Sequence, residues 1–173
     1  LIIKLAKFGF KKLDKLIFQN SDDRIYLDEK NILSNESQIF RVNGSGVDLN
    51  YYSYYPKEEK KEKVFLMLSR LLIDKGILEY INAAKEIKKR YPNVIFNLAG
   101  MPYEGSRAIN IKDIKAWADE NIINYLGLLK DVKDDLVKCD FYVLPSFYKE
   151  GIPRSLMEAM AIGRPIITTD STG

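Results

Sequence analysis

From residue 64 onward, short apolar runs alternate with longer stretches in which apolar residues recur at helical spacing. The runs "VFLMLS" (64–69), "VIFNLAG" (94–100), "INYLG" (123–127), "DFYVLPS" (140–146) and "RPIITT" (164–169) predict strands. Between them, "ILEYINAAKEIKKRY" (77–91), "INIKDIKAWADEN" (109–121), a short segment near 132–138 and residues 153–162 predict helices. Nearly continuous apolar strands separated by helices predict an α/β fold, a Rossmann-like parallel sheet with helices on both faces. Upstream, "LDKLIFQN" (13–20) and "QIFRVN" (38–43) read as strands, and "DDRIYLDEKN" (22–31) reads as a helix with Ser21 as its N-cap. The segment 44–63, "GSGVDLNYYSYYPKEEKKEK", breaks this rhythm with glycines, tyrosines, a proline and a charge run, and is expected to connect two domains.

Composition narrows the function classes. With 173 residues, 46% hydrophobic and 29% charged, the chain is an ordinary globular protein with a sizeable core. Its 27 basic and 24 acidic residues give a net charge of +3 spread along the chain, which is no nucleic-acid footprint. A single cysteine, Cys139, excludes an intramolecular disulfide and suits a reducing compartment; it is expected in the core. Histidine is absent, which removes His-ligated zinc and Ser-His or Cys-His nucleophile systems. No apolar stretch is long enough to span a bilayer. The opening "LIIKLAKFGFKKLDK" has Lys4, Lys7 and Lys11 on one side and Leu1, Leu5 and Phe8 on another. It reads either as a membrane-surface element or as a packed helix with a solvated lysine face, the usual fate of such charge runs. The chain starts without methionine or a visible signal peptide, so it is expected to be cut from a longer protein.

In parallel sheets, ligands bind beyond the carboxyl ends of the strands, which directs attention to residues 69–76, 99–106, 126–135 and 145–154. Arg70 and Lys75 follow the first strand of the series. A forked guanidinium and an ammonium placed there suit a diphosphate, whereas the same two residues in isolation would read as an exposed salt-bridging pair. In "KEGIPRSLMEAMAIGRPII" (149–167), Pro153 suits the first helical position and Gly151 permits close backbone approach. The helix start then offers amides from about Arg154 to Leu156 to an anion. Glu150 and Glu158 flank that start, and carboxylates bind pairs of hydroxyls; each alone would read as a solvated helix charge. Together they suit a ligand with polyols on both sides of a phosphate, the shape of a nucleotide sugar.

On these residues the chain resembles a known family. Residues 64–173 look like the nucleotide-sugar-binding half of the retaining glycosyltransferases of family 4, also called glycosyltransferase group 1, which have the GT-B fold. The resemblance rests on E-x7-E at Glu150 and Glu158, A-M-A-x-G-x-P-I-I at 159–167, "CDFYVLPS" before them, R-x4-K-G at 70–76, and "VNGSGVDL" at 42–49, similar to the family's interdomain linker. It implies that Arg70 and Lys75 neutralise the diphosphate leaving group and that Glu150 holds hexose hydroxyls. Gly151, Ile152 and Pro153 would line the sugar through their backbone, amides near Ser155 and Leu156 would bind phosphate, and Glu158 would bind the ribose. Gly127 would lie near the base and Gly100 would close the sugar pocket. Neither glutamate would be a nucleophile or general acid, and no metal or other cofactor is expected.

The resemblance also implies that 1–43 is the tail of an acceptor-binding domain, 44–63 the linker, and 64–173 an incomplete donor domain, so that this length of chain is expected not to turn over alone. The implied parent is a hexosyltransferase of polysaccharide or glycoconjugate synthesis, moving sugar from a nucleoside-diphosphate donor to a glycan or lipid-linked acceptor. Its expected place is cytoplasmic, at the inner face of the cytoplasmic membrane, to which it would bind peripherally. Two other classes make different demands on the sequence. A dinucleotide-binding oxidoreductase predicts G-x-G-x-x-G after the first strand, which "SRLLIDKG" (69–76) lacks. A non-catalytic nucleotide-sugar-binding module, or a GT-B epimerase or phosphorylase, stays open at this level.

Overall fold

Helices and parallel strands make up the computed structural model, which describes residues 2–33 and 39–171. The chain forms two compact units. The smaller comprises the residues up to Gly46 together with Lys149–Arg154, and the larger comprises Val47–Tyr148 and Ser155–Ser171.

The smaller unit carries α1 (Ile2–Phe10), β1 (Leu16–Phe18), α2 (Ser21–Glu29) and β2 (Ile39–Arg41). Its strands pair in parallel, Ile17 opposite Phe40. Leu1 and Gln38, which belong to the predicted first helix and second strand, lie outside the described residues. None of the α1 side chains is buried, and Ile2, Leu5 and Phe8 are exposed. The cap of α2 differs from the expected one. Asn20, in extended conformation, accepts the Asp23 amide at 2.8 Å, while Ser21 is the first helical residue and its hydroxyl accepts from Arg41 at 2.7 Å. Both residue types cap well; here the Arg41 bond occupies the serine and the asparagine does the capping.

The larger unit continues with β3 (Val64–Leu68), a one-turn 3-10 helix (Ile73–Lys75), α3 (Ile77–Arg90), β4 (Ile95–Ala99), α4 (Ile111–Asp119), β5 (Asn124–Gly127), α5 (Lys133–Lys138), β6 (Phe141–Leu144), α6 (Arg154–Ile162) and β7 (Ile166–Thr168). All five strands are parallel in the order β5-β4-β3-β6-β7. The chain builds outward from β3 to β5 and then returns to lay β6 on the other side of β3. That reversal opens a crevice between the carboxyl ends of β3 and β6, where such sheets take ligands, and it sends helices to both faces.

Sequence dictates these elements directly. In α3 the buried positions Ile77, Tyr80, Ile81 and Ala84 follow the 3.6 repeat, and Asn110 caps α4 by accepting the Lys112 amide at 2.9 Å. Phe65 stacks on Phe96 and Phe141 at 4.8 and 4.9 Å, joining the three central strands on one face. The amino ends are closed by two buried charges. Asp140 accepts the Val64 amide at 2.8 Å and pairs with Lys57, and Arg164 donates to the carbonyls of Leu136 and Val137 at the end of α5. Residues 47–63 belong to the larger unit: Tyr52 enters its core, and the Tyr55 amide donates to Ile162 O at 3.0 Å.

Gly76 joins the 3-10 helix to α3 at φ 79°, and a Cβ there would stand 2.0 Å from the backbone oxygen of Pro145. Gly127 shares the left-handed conformation, φ 70°, but a Cβ there would meet open space. Gly76→Ala is therefore expected to cost about 3 kcal/mol or more, and Gly127→Ala only about 1 kcal/mol of backbone strain. Urea unfolding of both variants checks this; equal losses would refute the packing argument.

Candidate functional site

The loop after β3 is held from both sides by backbone bonds. Toward β4, the Ser69 amide donates to Ala99 O, Leu71 to Met101 O, Ile73 to Arg107 O, and Ile109 returns a bond to Leu71 O, all within 2.9–3.1 Å. Toward β6, the Asp74 carbonyl accepts the Phe147 amide at 2.9 Å. Gly100 allows the closest of these approaches, since a Cβ there would lie 1.7 Å from Ser69 O. Its own amide donates to Gly127 O at 2.8 Å, and its carbonyl accepts the Tyr125 hydroxyl at 2.8 Å. The Asp74 carboxylate is gripped by Arg107 through two parallel bonds, one from Nε at 3.0 Å and one from Nη2. Hydrogen bonding to Arg107 holds the Asp74 carboxyl below the usual carboxylate range and raises the Arg107 guanidinium.

On this braced loop the two predicted cations differ in setting. Arg70 is exposed, while Lys75, in the 3-10 helix, is only 6% exposed. They meet at one aromatic ring: Arg70 Cζ lies 5.6 Å, and Lys75 Nζ 4.8 Å, from the centroid of Tyr148. Arg70 Cζ also lies 5.6 Å from the ring of Tyr103, in the loop after β4. The alternative of two exposed salt-bridging residues therefore fails for Lys75 on burial alone.

Helix α6 starts at Arg154, with Pro153 immediately before it rather than in its first turn, a shift of one residue at a boundary. Ser155 and Leu156 are thus its second and third residues, with amides in the set that intrahelical bonding leaves over. The Ser155 hydroxyl stands 2.7 Å from the Tyr142 hydroxyl, which also lies 3.2 Å from Leu68 O, so the first turn of α6 is fastened to the end of β3. Burial pushes the Tyr142 hydroxyl pKa up, and the nearby Glu158 charge adds to the rise. Glu158 is 7% exposed and shares the buried face of α6 with Ala159 and Ile162.

In the smaller unit, Glu150, Gly151, Ile152 and Pro153 are all half-buried. Gly151 has no room for a side chain, since a Cβ would come within 2.2 Å of Gln19 Oε1. Ile152 lines a cavity of about 220 Å³ with Gln19, Asn20, Arg41 and Asn43 among its neighbours. Among the described residues no group of three or more Cys, Asp or Glu is placed to hold a metal ion.

Sequence reasoning passed over Tyr103, Tyr148, Tyr142 and the Asp74–Arg107 pair. Asp74 sits in plain view inside R-x4-K-G, but nothing local announces its partner. Tyr148 lies two residues before Glu150, and its only signal was being aromatic in the loop that follows a strand.

Residues 55–173 match the model of the glycosyl transferases group 1. A parallel sheet of this order, covered by helices, defines an α/β protein of the doubly wound class. The chain belongs to the glycosyl transferases group 1 family. It is 30% identical over 184 residues to the N,N'-diacetylbacillosaminyl-diphospho-undecaprenol alpha-1,3-N-acetylgalactosaminyltransferase of Campylobacter jejuni, covering 99% of this chain and 46% of that protein. It is 29% identical over 185 residues to the UDP-Gal:alpha-D-GlcNAc-diphosphoundecaprenol alpha-1,3-galactosyltransferase of Escherichia coli, covering 98% of this chain and 46% of that protein. The chain thus spans about half the length of these curated relatives.

Among solved structures, S. aureus TarM in complex with UDP and other ligands matches at a TM-score of 0.73 and 27% identity, over 97% of this chain and 32% of that one. Anabaena HepE in complex with UDP matches at 0.77 and 18% identity, over 99% and 49%, and so supports the fold alone. The fold is the α/β arrangement of GT-B glycosyltransferases. Among the described residues no helix is long and apolar enough to cross a membrane.

The Asp74–Arg107 grip has a pH signature. Because the folded-state pKa of Asp74 is depressed, its contribution to stability is fully present above the ordinary value of 3.8 and is lost as pH falls through the depressed one. Asp74→Asn should therefore be less stable than the native protein at about pH 6, with the difference shrinking as pH falls below 3.8 and through the depressed pKa. Urea unfolding at several pH values checks this, and a pH-independent difference would count against the pair.

Proposed function

We propose that this chain is part of a retaining glycosyltransferase of family 4 that transfers a hexose from a nucleoside-diphosphate sugar to a lipid-linked or glycan acceptor. The observation that carries this reading is the convergence of Arg70 and Lys75 on one ring beyond the end of the central strand, on a loop fixed by backbone bonds. As the bond from the sugar C1 to the diphosphate breaks, its electron pair stays on the leaving phosphate. Two cations held there stabilise that charge without reorganising. In this reading they do the work that a divalent ion does elsewhere, and no metal is required. The acceptor hydroxyl forms the new bond to C1, and its proton passes to an oxygen of the departing diphosphate, which has just gained the electron pair.

The other residues take roles along the same ligand. The amides at Ser155 and Leu156 bind phosphate, Glu158 the ribose, and the turn at Gly127 the base. Glu150 holds the hexose, with Gly151, Ile152 and Pro153 presenting backbone to it, and Gly100 keeps the pocket wall thin. The two relatives support the acceptor class, since by name both act on a sugar joined to undecaprenol through a diphosphate. Both also make an alpha linkage, which is retention when the donor is alpha. Residues 1–43 would then belong to the acceptor-binding domain, with 44–63 as its link to the donor domain, and the protein would work at the cytoplasmic face of the membrane that holds such lipids.

Two measurements on the intact protein test this reading. Replacing Arg70 or Lys75 by alanine should weaken binding of UDP or GDP by about 1.5–3 kcal/mol, as for charge-assisted hydrogen bonds; unchanged calorimetric affinity in both variants would sink the assignment. The two glutamates should separate. Glu158→Gln should weaken the free nucleoside diphosphate and the full donor alike, because both contain the ribose. Glu150→Gln should leave nucleoside diphosphate binding within about twofold and lower the transfer rate, since only the donor carries a hexose. Equal losses of nucleoside diphosphate affinity would mean that the glutamates only hold the helix start.

A further inference from the structure

Two arginines of the larger unit, Arg70 after β3 and Arg107 after β4, are held in opposite ways. Arg107 spends two donors on the Asp74 carboxylate. Arg70 is exposed, and among the described residues no carboxylate forms an ion pair with it. It is held instead by aromatic rings, Tyr103 and Tyr148, each centred 5.6 Å from Cζ. A guanidinium attracted to the faces of aromatic rings spends none of its five N–H donors on an acceptor, whereas a carboxylate partner consumes them. A group required to fork a diphosphate is better oriented by rings than by an acid.

Tyr148 does more than Tyr103, because its ring also receives Lys75 Nζ at 4.8 Å. The negative face of one ring then offsets part of the repulsion between two cations brought to the same place. Its backbone is tied to the element that carries Lys75. The Tyr148 amide donates to Ser146 Oγ at 3.2 Å, and the adjacent Phe147 amide donates to Asp74 O at 2.9 Å.

We propose that Tyr148 is a positioning residue for diphosphate recognition: it holds Arg70 and Lys75 together through its ring and leaves the donors of Arg70 unspent. This rests on the diphosphate reading given above. The test is titration of the intact protein with UDP and with inorganic pyrophosphate, using Tyr148→Phe, Tyr148→Leu and Tyr148→Met, alone and combined with Arg70→Ala. Thermal melting identifies any variant that fails to fold, and Met serves as a second ring-free variant if Leu does.

Tyr148→Phe keeps the ring and should bind within about twofold of the native protein, while Leu or Met should weaken both ligands by about five- to tenfold. In the Arg70→Ala background most of that loss should disappear, because the side chain being positioned is gone. Equal loss in Phe and Leu, no loss in Leu, or an undiminished loss in the Arg70→Ala background would overturn the proposal while leaving the clamp intact. Unchanged UDP affinity in Arg70→Ala and Lys75→Ala themselves would overturn the diphosphate reading and this proposal with it.

Discussion

The backbone of residues 69–76 has almost no independence. Its amides and carbonyls are bonded to the loop after β4 on one side and, through the Asp74 carbonyl, to the loop after β6 on the other. A loop that would ordinarily be mobile thus behaves as an extension of the sheet. The consequence is electrostatic. For the diphosphate proposed above, cations on a fixed backbone would not have to be gathered on its arrival, and such fixed placement is what gives a polar site its strength.

Side chains complete what the backbone begins. Tyr142 reaches the end of β3 and the first turn of α6 with one hydroxyl, so the amino end of that helix and the cation-bearing loop are referred to the same strand. Tyr80 pins the underside in the same manner, its hydroxyl lying 3.1 Å from Phe65 O and 2.9 Å from Asn97 O. Each hydroxyl is buried in an apolar layer, where an unmet polar group is costly, so these contacts fix geometry more firmly than surface bonds would.

Much of this was legible because strands packed on both faces must be apolar along their whole length. Runs such as 64–69 and 140–146 announce themselves, and the observed strands are trimmed by only a residue or two where the chain bends into its loops. What escaped was short or distant. The 3-10 helix Ile73–Lys75 is too brief to carry a periodicity, and Asn20 and Ser21 are adjacent residues of equal capping talent, separated only by a bond from Arg41. At the site, Arg70, Lys75, Glu150 and Glu158 stood out through chain spacing. Tyr103, Tyr148 and Arg107 did not, since their significance lies in contacts between loops that follow different strands.

The lone cysteine has a practical side. Cys139 is 2% exposed, its Sγ lies 3.3 Å from Leu136 O, and burial pushes its thiol up to about 12. A thiol sealed and protonated in this way is inert to alkylating reagents while the fold is intact. The native chain is therefore already a silent background for site-directed labelling: a cysteine introduced on either unit would carry a fluorophore or spin probe by itself, with no need to remove the natural one.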